Sequence, residues 1–388
     1  MEGDPISISF ALSPEQEEFR AVVREFADDV IAPAAADINA ERRFPVEIIR
    51  KMGDLGLFGI PFEERYGGMG GDLLTLCLAI EEIGRVDQSL GITLEAAVGL
   101  GAAPLHAFGT EEQKHRWLPA LCRGEQLGAF ALSEPGGGSD NLGGTTTRAV
   151  RDGDEWVING SKVFITNAGT ELTSIITITA LTGDGELTAI IVPAGTPGLT
   201  IAPPYHKVGW HASDTRELAF TDLRVPVDHT LGEVGAGFRQ FLQTLDDGRI
   251  AIAALATGLI QGCVDECVRY AGERTAFGQP IGRHQAIAFK IADLEVAAQT
   301  SRLLYWRAAW RRAEGLPYKR EASIAKLHSS EQAVTAAREA TQIFGGYGYM
   351  TETRVGRFYQ DAKGLEIGEG TSEIQRILIA RELGLSTP

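Results

Sequence analysis

A block of short β-prone runs sits between two long stretches of helical period, and that order constrains the fold more than any other feature of the chain. From Ser13 to about Gly124 apolar residues recur at helical spacing, as in Leu73 to Ile83, broken by Gly-rich clusters such as Tyr66-Gly67-Gly68-Met69-Gly70-Gly71. Ser13 followed by Pro14, with acidic Glu15 and Glu17 behind it, marks a helix start with Pro at the first helical position. From about Glu125 to Pro226 the runs shorten to Trp156-Val157-Ile158, Lys162 to Thr166, Ile175 to Thr179, Leu187 to Val192 and Glu217 to Phe220. Asn159-Gly160 predicts a type I′ turn between the first two, because both residues tolerate positive φ. Asp184-Gly185 separates two others. Strands this closely spaced suggest a compact sheet or barrel and not βαβ units. From about Gly237 the chain is helical again, and the long amphipathic stretches Arg249 to Glu273 and His284 to Arg312 suggest an antiparallel bundle. The expected class is α+β, mostly α, with domains over residues 1–124, 125–236 and 237–388.

At 388 residues the chain exceeds what one hydrophobic core usually supports, which fits that division. A formal net charge of −16 argues against a general binder of nucleic acid or anionic membrane. It does not exclude an anionic ligand held by local Arg or backbone N–H groups. Cys77, Cys122, Cys263 and Cys267 form no CxxC pattern and are too few for a disulfide framework, so a reducing compartment is expected. The first ten residues, MEGDPISISF, have neither the charged and apolar regions of a secretory leader nor an Arg-rich transit character. No uninterrupted apolar run reaches membrane-spanning length. The expectation is a soluble, cytoplasmic protein without a membrane span.

Gly99-Leu100-Gly101-Ala102-Ala103-Pro104 approaches a dinucleotide fingerprint, but it sits in a helical context, ends in Pro and follows no strand; helix packing or a turn explains it better. There is no Walker A sequence and no His pair at metal-ligand spacing, and no metal is expected. Cys263 and Cys267, four apart on an apolar helix, are expected to be small buried hydrophobes. The segment Ala129-Phe130-Ala131-Leu132-Ser133-Glu134-Pro135-Gly136-Gly137-Gly138-Ser139-Asp140 is more informative. Three glycines in a row let the backbone approach a flat or phosphorylated ligand, and Ser133 and Ser139 add hydroxyl donors. Alone it is a loop with or without a function. It is followed by Gly160 to Asn167, then Arg274-Thr275-Ala276-Phe277-Gly278-Gln279-Pro280-Ile281, then Gln342-Ile343-Phe344-Gly345-Gly346-Tyr347-Gly348-Tyr349, and finally Glu369-Gly370-Thr371-Ser372-Glu373-Ile374-Gln375-Arg376.

In this order the segments resemble the acyl-CoA dehydrogenase family across almost the whole chain. The resemblance implies an N-terminal helical domain, a middle β-barrel domain and a C-terminal four-helix bundle, assembled as a homotetramer (a dimer of dimers), with FAD between barrel and bundle. It implies that Phe130, Leu132, Ser133, Gly138 and Ser139 lie along the flavin, and that Phe164 and Thr166 flank its ring. Arg274, Phe277, Gln285, Gln342, Ile343, Gly345 and Gly346 would reach the FAD of a neighbouring subunit, with Thr371 and Glu373 serving the flavin's own subunit. Arg274 also offers a planar donor fork suited to a pyrophosphate, although a surface ion pair is the plainer reading of such a residue. Ala276 departs from the Thr frequent there, which puts one phosphate hydrogen bond in doubt. Substrate contacts would come from Ser139, Asp246, Arg249 and Gly370, while Asp246 and Arg249 alone read equally as a helical ion pair.

Taking a proton from the carbon beside a thioester needs a base, a stabiliser for the enolate oxygen and a hydride acceptor. Glu369 stands between Gly368 and Gly370 just before an expected helix, where Ser372 and Gln375 fit a capping box. A Glu there is ordinarily a helix-dipole partner; the resemblance identifies it as the catalytic base, with burial raising its pKa into a useful range. Some members carry the base on another helix, at a position matching Gly248, and Gly cannot abstract a proton. The implied activity is α,β-dehydrogenation of an acyl-CoA to the trans-2-enoyl-CoA, with the Glu369 backbone N–H helping to hold the thioester oxygen and electron-transfer flavoprotein as the redox partner. An acyl-CoA oxidase or flavin monooxygenase on the same fold is the alternative, and a non-catalytic acyl-CoA-binding protein a second. Gly368, where many relatives have Tyr, suggests a wider acyl pocket and tolerance of branched short chains. Glu95 has no explanation at this level.

Overall fold

The computed structural model describes residues 11–140, 143–183 and 185–385. The reading of the first ten residues, and Asp184 of the Asp184-Gly185 pair, therefore fall outside the described residues. Seven helices come first: α1 (Pro14–Phe26), α2 (Ala35–Glu41), α3 (Val46–Asp54), α4 (Leu73–Gly84), α5 (Gln88–Glu95), α6 (Ala103–Phe108) and α7 (Glu111–Cys122). Their starts follow local chemistry. The Ser13 hydroxyl accepts from the Gln16 N–H and the Gln16 side chain returns to the Ser13 N–H, a capping box with Pro14 at the first position. Thr110 and Gln113 form a second capping box at α7, and the Asp72 and Asp87 carboxylates cap α4 and α5 by accepting from the Thr75 and Leu90 N–H groups.

Helix α4 is buried for most of its length, including Glu81 and Glu82. Those carboxylates are matched by Arg20, Arg24, Arg85 and Arg302, and the Tyr305 hydroxyl donates to Glu81. The buried charges thus have the partners that burial demands.

The middle of the chain is one curled sheet of β1 (Leu127–Ala131), β2 (Arg148–Asp152), β3 (Glu155–Thr166), β4 (Thr173–Leu181), β5 (Leu187–Pro193), β6 (Leu199–Ile201) and β7 (Thr215–Pro226). The strand order is β1-β4-β2-β3-β7-β6, with β5 beside β4. Inward residues such as Trp156, Ile158, Ile176, Ile178, Ile190, Leu218 and Phe220 form the sheet's own core. The turn expected at Asn159-Gly160 is not there. Strand β3 runs straight through it, and the hairpin closes at Gly153-Asp154, where Asp152 pairs with Glu155. Gly160 instead marks a register shift against β7, and a Cβ on it would come within 2.5 Å of the Thr147 hydroxyl oxygen.

The remaining helices are α8 (Gly237–Glu273), α9 (Gln285–Ala313), α10 (Lys319–Phe344), α11 (Arg354–Ile367) and α12 (Ser372–Glu382). Helix α8 is the axis of this part: α9, α10 and α11 pack on it, it touches α4 and α5, and α12 lies on α10. Cys263 and Cys267 are buried in it as free thiols. Two helical stretches, Gln88–Phe108 and Gly237–Glu273, are long and apolar enough to cross a bilayer, but both are mostly buried inside the protein, as core helices are. Within the first, the Gly99 to Pro104 stretch forms a π-helical turn and the start of α6. Gly101 lies against Gly128 of β1 so tightly that a Cβ would meet its carbonyl at 2.6 Å. Helix packing accounts for those glycines.

Candidate active site

Glu369 sits in the connection between α11 and α12 with φ +54, a left-handed conformation that a non-Gly residue holds only when its surroundings impose it. Those surroundings are specific. Gly370, at φ +93, follows it, and the Gly370 carbonyl accepts from Lys326 Nζ at 2.8 Å and Gln375 Nε2 at 2.9 Å. Gln375 also reaches the Glu369 carbonyl at 3.4 Å. Helix α12 is capped by Thr371, whose hydroxyl accepts from the Ile374 N–H, so the capping box expected from Ser372 and Gln375 does not form. Gln375 is used to lock the loop instead, a role its spacing from Ser372 had masked.

The Glu369 carboxylate oxygens are both out of solvent contact and meet no donor among the described residues. Its backbone N–H makes no backbone hydrogen bond there either. Burial pushes its pKa up, while Lys326 of α10 and Arg249 of α8 pull it down. Lys326 in turn is lowered to about 8 by burial. A shielded carboxylate with a raised pKa has the protonation chemistry that general-base work requires.

Gly248 of α8 faces this carboxylate, and a Cβ on it would stand 2.0 Å from Glu369 Oε2. The carboxylate can occupy its place only because residue 248 has no side chain. The clash is with the end of a flexible side chain, so Gly248→Ala should leave the melting temperature close to wild type. Turnover should fall at least tenfold as the carboxylate is displaced, since small misplacement of a reacting group is costly. Unchanged turnover would show that the carboxylate has room to spare. On either side of Gly248, Asp246 and Arg249 form the expected i, i+3 ion pair beside Glu369, with Arg249 buried and its Nε unpartnered. Thr371 and Glu373 lie at the start of α12, Glu373 exposed.

Beyond the opening Gly368, the expected extra room is partly taken: a Cβ on Gly368 would lie 3.9 Å from the Trp210 ring, and one on Gly364 would clash with it. Trp210 is held by its backbone N–H, which donates to Asp361 at 2.6 Å. Burial raises that Asp to about 7.

The triglycine loop leaves β1 and is fastened to β3. Lys162 Nζ donates to the Leu132 carbonyl (3.1 Å), to Glu134 (2.8 Å) and to Thr179 (3.1 Å), and the Val163 N–H donates to the Ser133 carbonyl (2.9 Å). Lys162 and Glu134 are both buried, and Glu134 also accepts from the Thr146 and Thr147 N–H groups. This brings Leu132 and Ser133 beside Phe164 and Thr166. The Phe164 ring is 68% exposed, an unusual position for a Phe, which also has φ +63. Gly138 has open space where a Cβ would be, and Ser139 next to it is exposed. Phe130 on β1 stacks on Phe241 of α8 at 4.0 Å. An uncovered apolar ring, hydroxyls on either side and a backbone with open room fit the flat ring system of FAD. Beyond Thr166, Asn167 donates to the Thr93 carbonyl, so the end of β3 is joined to α5.

The other expected FAD residues lie elsewhere. Arg274 follows the C-terminus of α8, Phe277 tops a two-strand hairpin at 96% exposure, Gln285 opens α9, and Gln342 to Gly346 end α10. Gly345 and Gly346 have open space around them and Ile343 is buried. The ion pair that a lone Arg would suggest is absent: Arg274 has no carboxylate partner among the described residues. Along the unbroken α8, Gly248 and Arg274 are separated by about 39 Å at 1.5 Å per residue. The Glu369 face and the Arg274 face are thus at opposite ends of one helix. The contributions of Lys326, Gln375 and Lys162 were not visible in the sequence, where Lys326 and Lys162 read as ordinary helix and strand residues and Gln375 as a capping partner.

Family models described as the acyl-CoA dehydrogenase N-terminal, middle and C-terminal domains match residues 13–125, 129–223 and 235–384. The chain is 50% identical to the probable acyl-CoA dehydrogenase YngJ of Bacillus subtilis over 379 residues, covering 97% of this chain and 100% of that protein. Among solved structures it is similar to butyryl-CoA dehydrogenase from Megasphaera elsdenii, with a TM-score of 0.94, 40% identity and coverage of 97% and 100%. A chain solved in work on the electron transferring flavoprotein of Acidaminococcus fermentans matches with a TM-score of 0.94, 40% identity and coverage of 97% and 99%.

Proposed function

The chain belongs to the acyl-CoA dehydrogenase family, and on that premise we propose that it oxidises short acyl-CoA thioesters with Glu369 as the α-proton base. The reaction is the FAD-dependent α,β-dehydrogenation of an acyl-CoA to its trans-2-enoyl-CoA. One observation carries the assignment of the base: the Glu369 carboxylate is shielded from solvent, bonded by no cation or backbone N–H, and presented from a loop that Lys326 and Gln375 hold in a left-handed conformation. FAD, when bound, supplies the acceptor for the β-hydride.

The chain's own residues do the rest. Glu369 takes the α-proton, and its unengaged backbone N–H is available to the thioester oxygen, an oxyanion-hole contribution. Asp246, Arg249, Gly370 and Ser139 hold the pantetheine and thioester. Phe130, Leu132, Ser133, Gly138, Ser139, Phe164 and Thr166 would seat the flavin, and Thr371 and Glu373 would help to hold it. The Arg274, Phe277, Gln285 and Gln342–Gly346 set lies too far along α8 to serve the same cofactor, which supports a neighbouring copy as the recipient. Phe289, Val296 and Leu303 repeat every seven residues along α9 as exposed apolar side chains, a stripe suited to a helix of another subunit. We take the assembly to be a homotetramer. Electrons would pass to an electron-transfer flavoprotein, in line with the Acidaminococcus relative. The cytoplasm suits four cysteines that are all free and buried.

Short substrates are favoured by the similarity to butyryl-CoA dehydrogenase and by Trp210, whose ring borders the room that Gly368 leaves. Anaerobic flavin bleaching with butyryl-, isobutyryl-, isovaleryl- and octanoyl-CoA should give a preference for one of the first three of at least tenfold in kcat/KM. A clear preference for octanoyl-CoA would contradict this reading.

A further inference from the structure

Glu95, the last residue of α5, is a buried titratable group that the proposed chemistry leaves unused. It is fully shielded, and neither carboxyl oxygen meets a donor from the described residues. The group it faces is Glu369. Both converge on Gly248, where a Cβ would lie 2.0 Å from Glu369 Oε2 and 3.6 Å from Glu95 Oε1. Gly99 adds room on the other side, since a Cβ there would come to 2.8 Å from Glu95 Oε1. Two side chains 274 positions apart in sequence are thus brought together by two glycines that leave them space.

Two ionised carboxylates in one dry site repel, and no donor stands between them; a single proton turns the same contact into a hydrogen bond. We infer that Glu95 is a positioning residue: a neutral carboxylic acid that donates a hydrogen bond to the Glu369 carboxylate and holds it ready for the α-proton. This rests on Glu369 being the base. The surrounding charges decide which partner keeps the proton. Glu95 is pushed well above the usual carboxylate range, first by burial and then by the negative charge of Glu369. Glu369 is raised by its own burial but drawn back by Lys326 of α10 and by Arg249 of α8. Asp246 of α8 is occupied by Arg249, and Cys77 of α4, the remaining titratable neighbour, is held neutral by burial. The cations therefore favour charge on Glu369 and leave the proton on Glu95.

The test uses the FAD-loaded enzyme and two readouts. In difference infrared spectra at neutral pH, wild type minus Glu95→Gln should show the C=O band of a protonated carboxylic acid, a signal independent of turnover. In pH profiles of kcat/KM, which report the free enzyme, Glu95→Gln retains a donor and should keep the acidic limb near wild type. Glu95→Leu has none, so its acidic limb should move to higher pH as Glu369 becomes harder to ionise. Absence of the carboxylic acid band, or an acidic limb that stays in place in the Leu variant, would overturn the inference. Should the Leu variant lose its flavin, the infrared band decides alone. Failure here is separable from failure of the base assignment: if Glu369→Gln bleaches the flavin normally, the base is wrong, whereas an inert Glu369→Gln with no carboxylic acid band in wild type removes only the role of Glu95.

Discussion

Glu369→Gln should bind acyl-CoA and keep its yellow flavin, yet reduce that flavin roughly 10²- to 10⁴-fold more slowly than wild type, the usual worth of a positioned general base. The amide has the size and shape of the carboxylate, so the loop held by Lys326 and Gln375 has no reason to move. What it lacks is a site for the α-proton. No second base is in place: Gly248 cannot act as one, and Glu95 is held neutral beside the site. Stopped-flow bleaching under anaerobic conditions measures the effect, with equilibrium binding of the acyl-CoA as the control. A variant that bleaches at the wild-type rate would remove Glu369 from the mechanism.

The largest loss of stability should come from Lys162→Met. Lys162 and Glu134 are a buried ion pair, and removing one partner leaves a charge in the protein interior. Breaking such a pair costs about 3–5 kcal/mol, far more than a surface pair is worth. Burial favours the neutral amine and lowers the Lys162 pKa, while Glu134 works against that shift. The consequences reach function, because Lys162 also holds the Leu132 carbonyl at the start of the triglycine loop. The variant should melt well below wild type and lose flavin on gel filtration. Replacing both partners with apolar residues should recover part of the stability, since no lone charge then remains, though the Thr146 and Thr147 N–H groups would lose their acceptor. A Lys162→Met melting curve that superimposes on wild type would show the pair to be dispensable.

The helix-strand-helix order was legible because periodicity is a local property, and so was the start of α1, whose capping groups lie three residues apart. The turn misplaced at Asn159-Gly160 shows the limit of local chemistry. Gly153-Asp154, six residues upstream, is an equally good turn, and the choice was made by pairing of β3 with β7 across more than fifty residues. Ser372 and Gln375 had the spacing of a capping box, but Gln375 serves the Glu369 loop and Thr371 caps in its place. Within the candidate site, the segments proposed for the flavin and the base were picked out through their resemblance to a family. Glu95 was not, because its meaning depends on a contact with Glu369 that only the packing of α5 against α8 creates. The same holds for Lys326, whose ammonium reaches the Gly370 carbonyl from another helix.

The central claim is that this chain moves a proton between the α-carbon of a thioester and the carboxylate at position 369. Exchange of α-hydrogen for solvent deuterium in a bound acyl-CoA analogue that cannot give up its β-hydride follows that transfer alone. Wild type should incorporate deuterium readily, and Glu369→Gln, with the analogue equally well bound, should incorporate it at least a hundredfold more slowly. Equal rates in the two proteins would contradict the account.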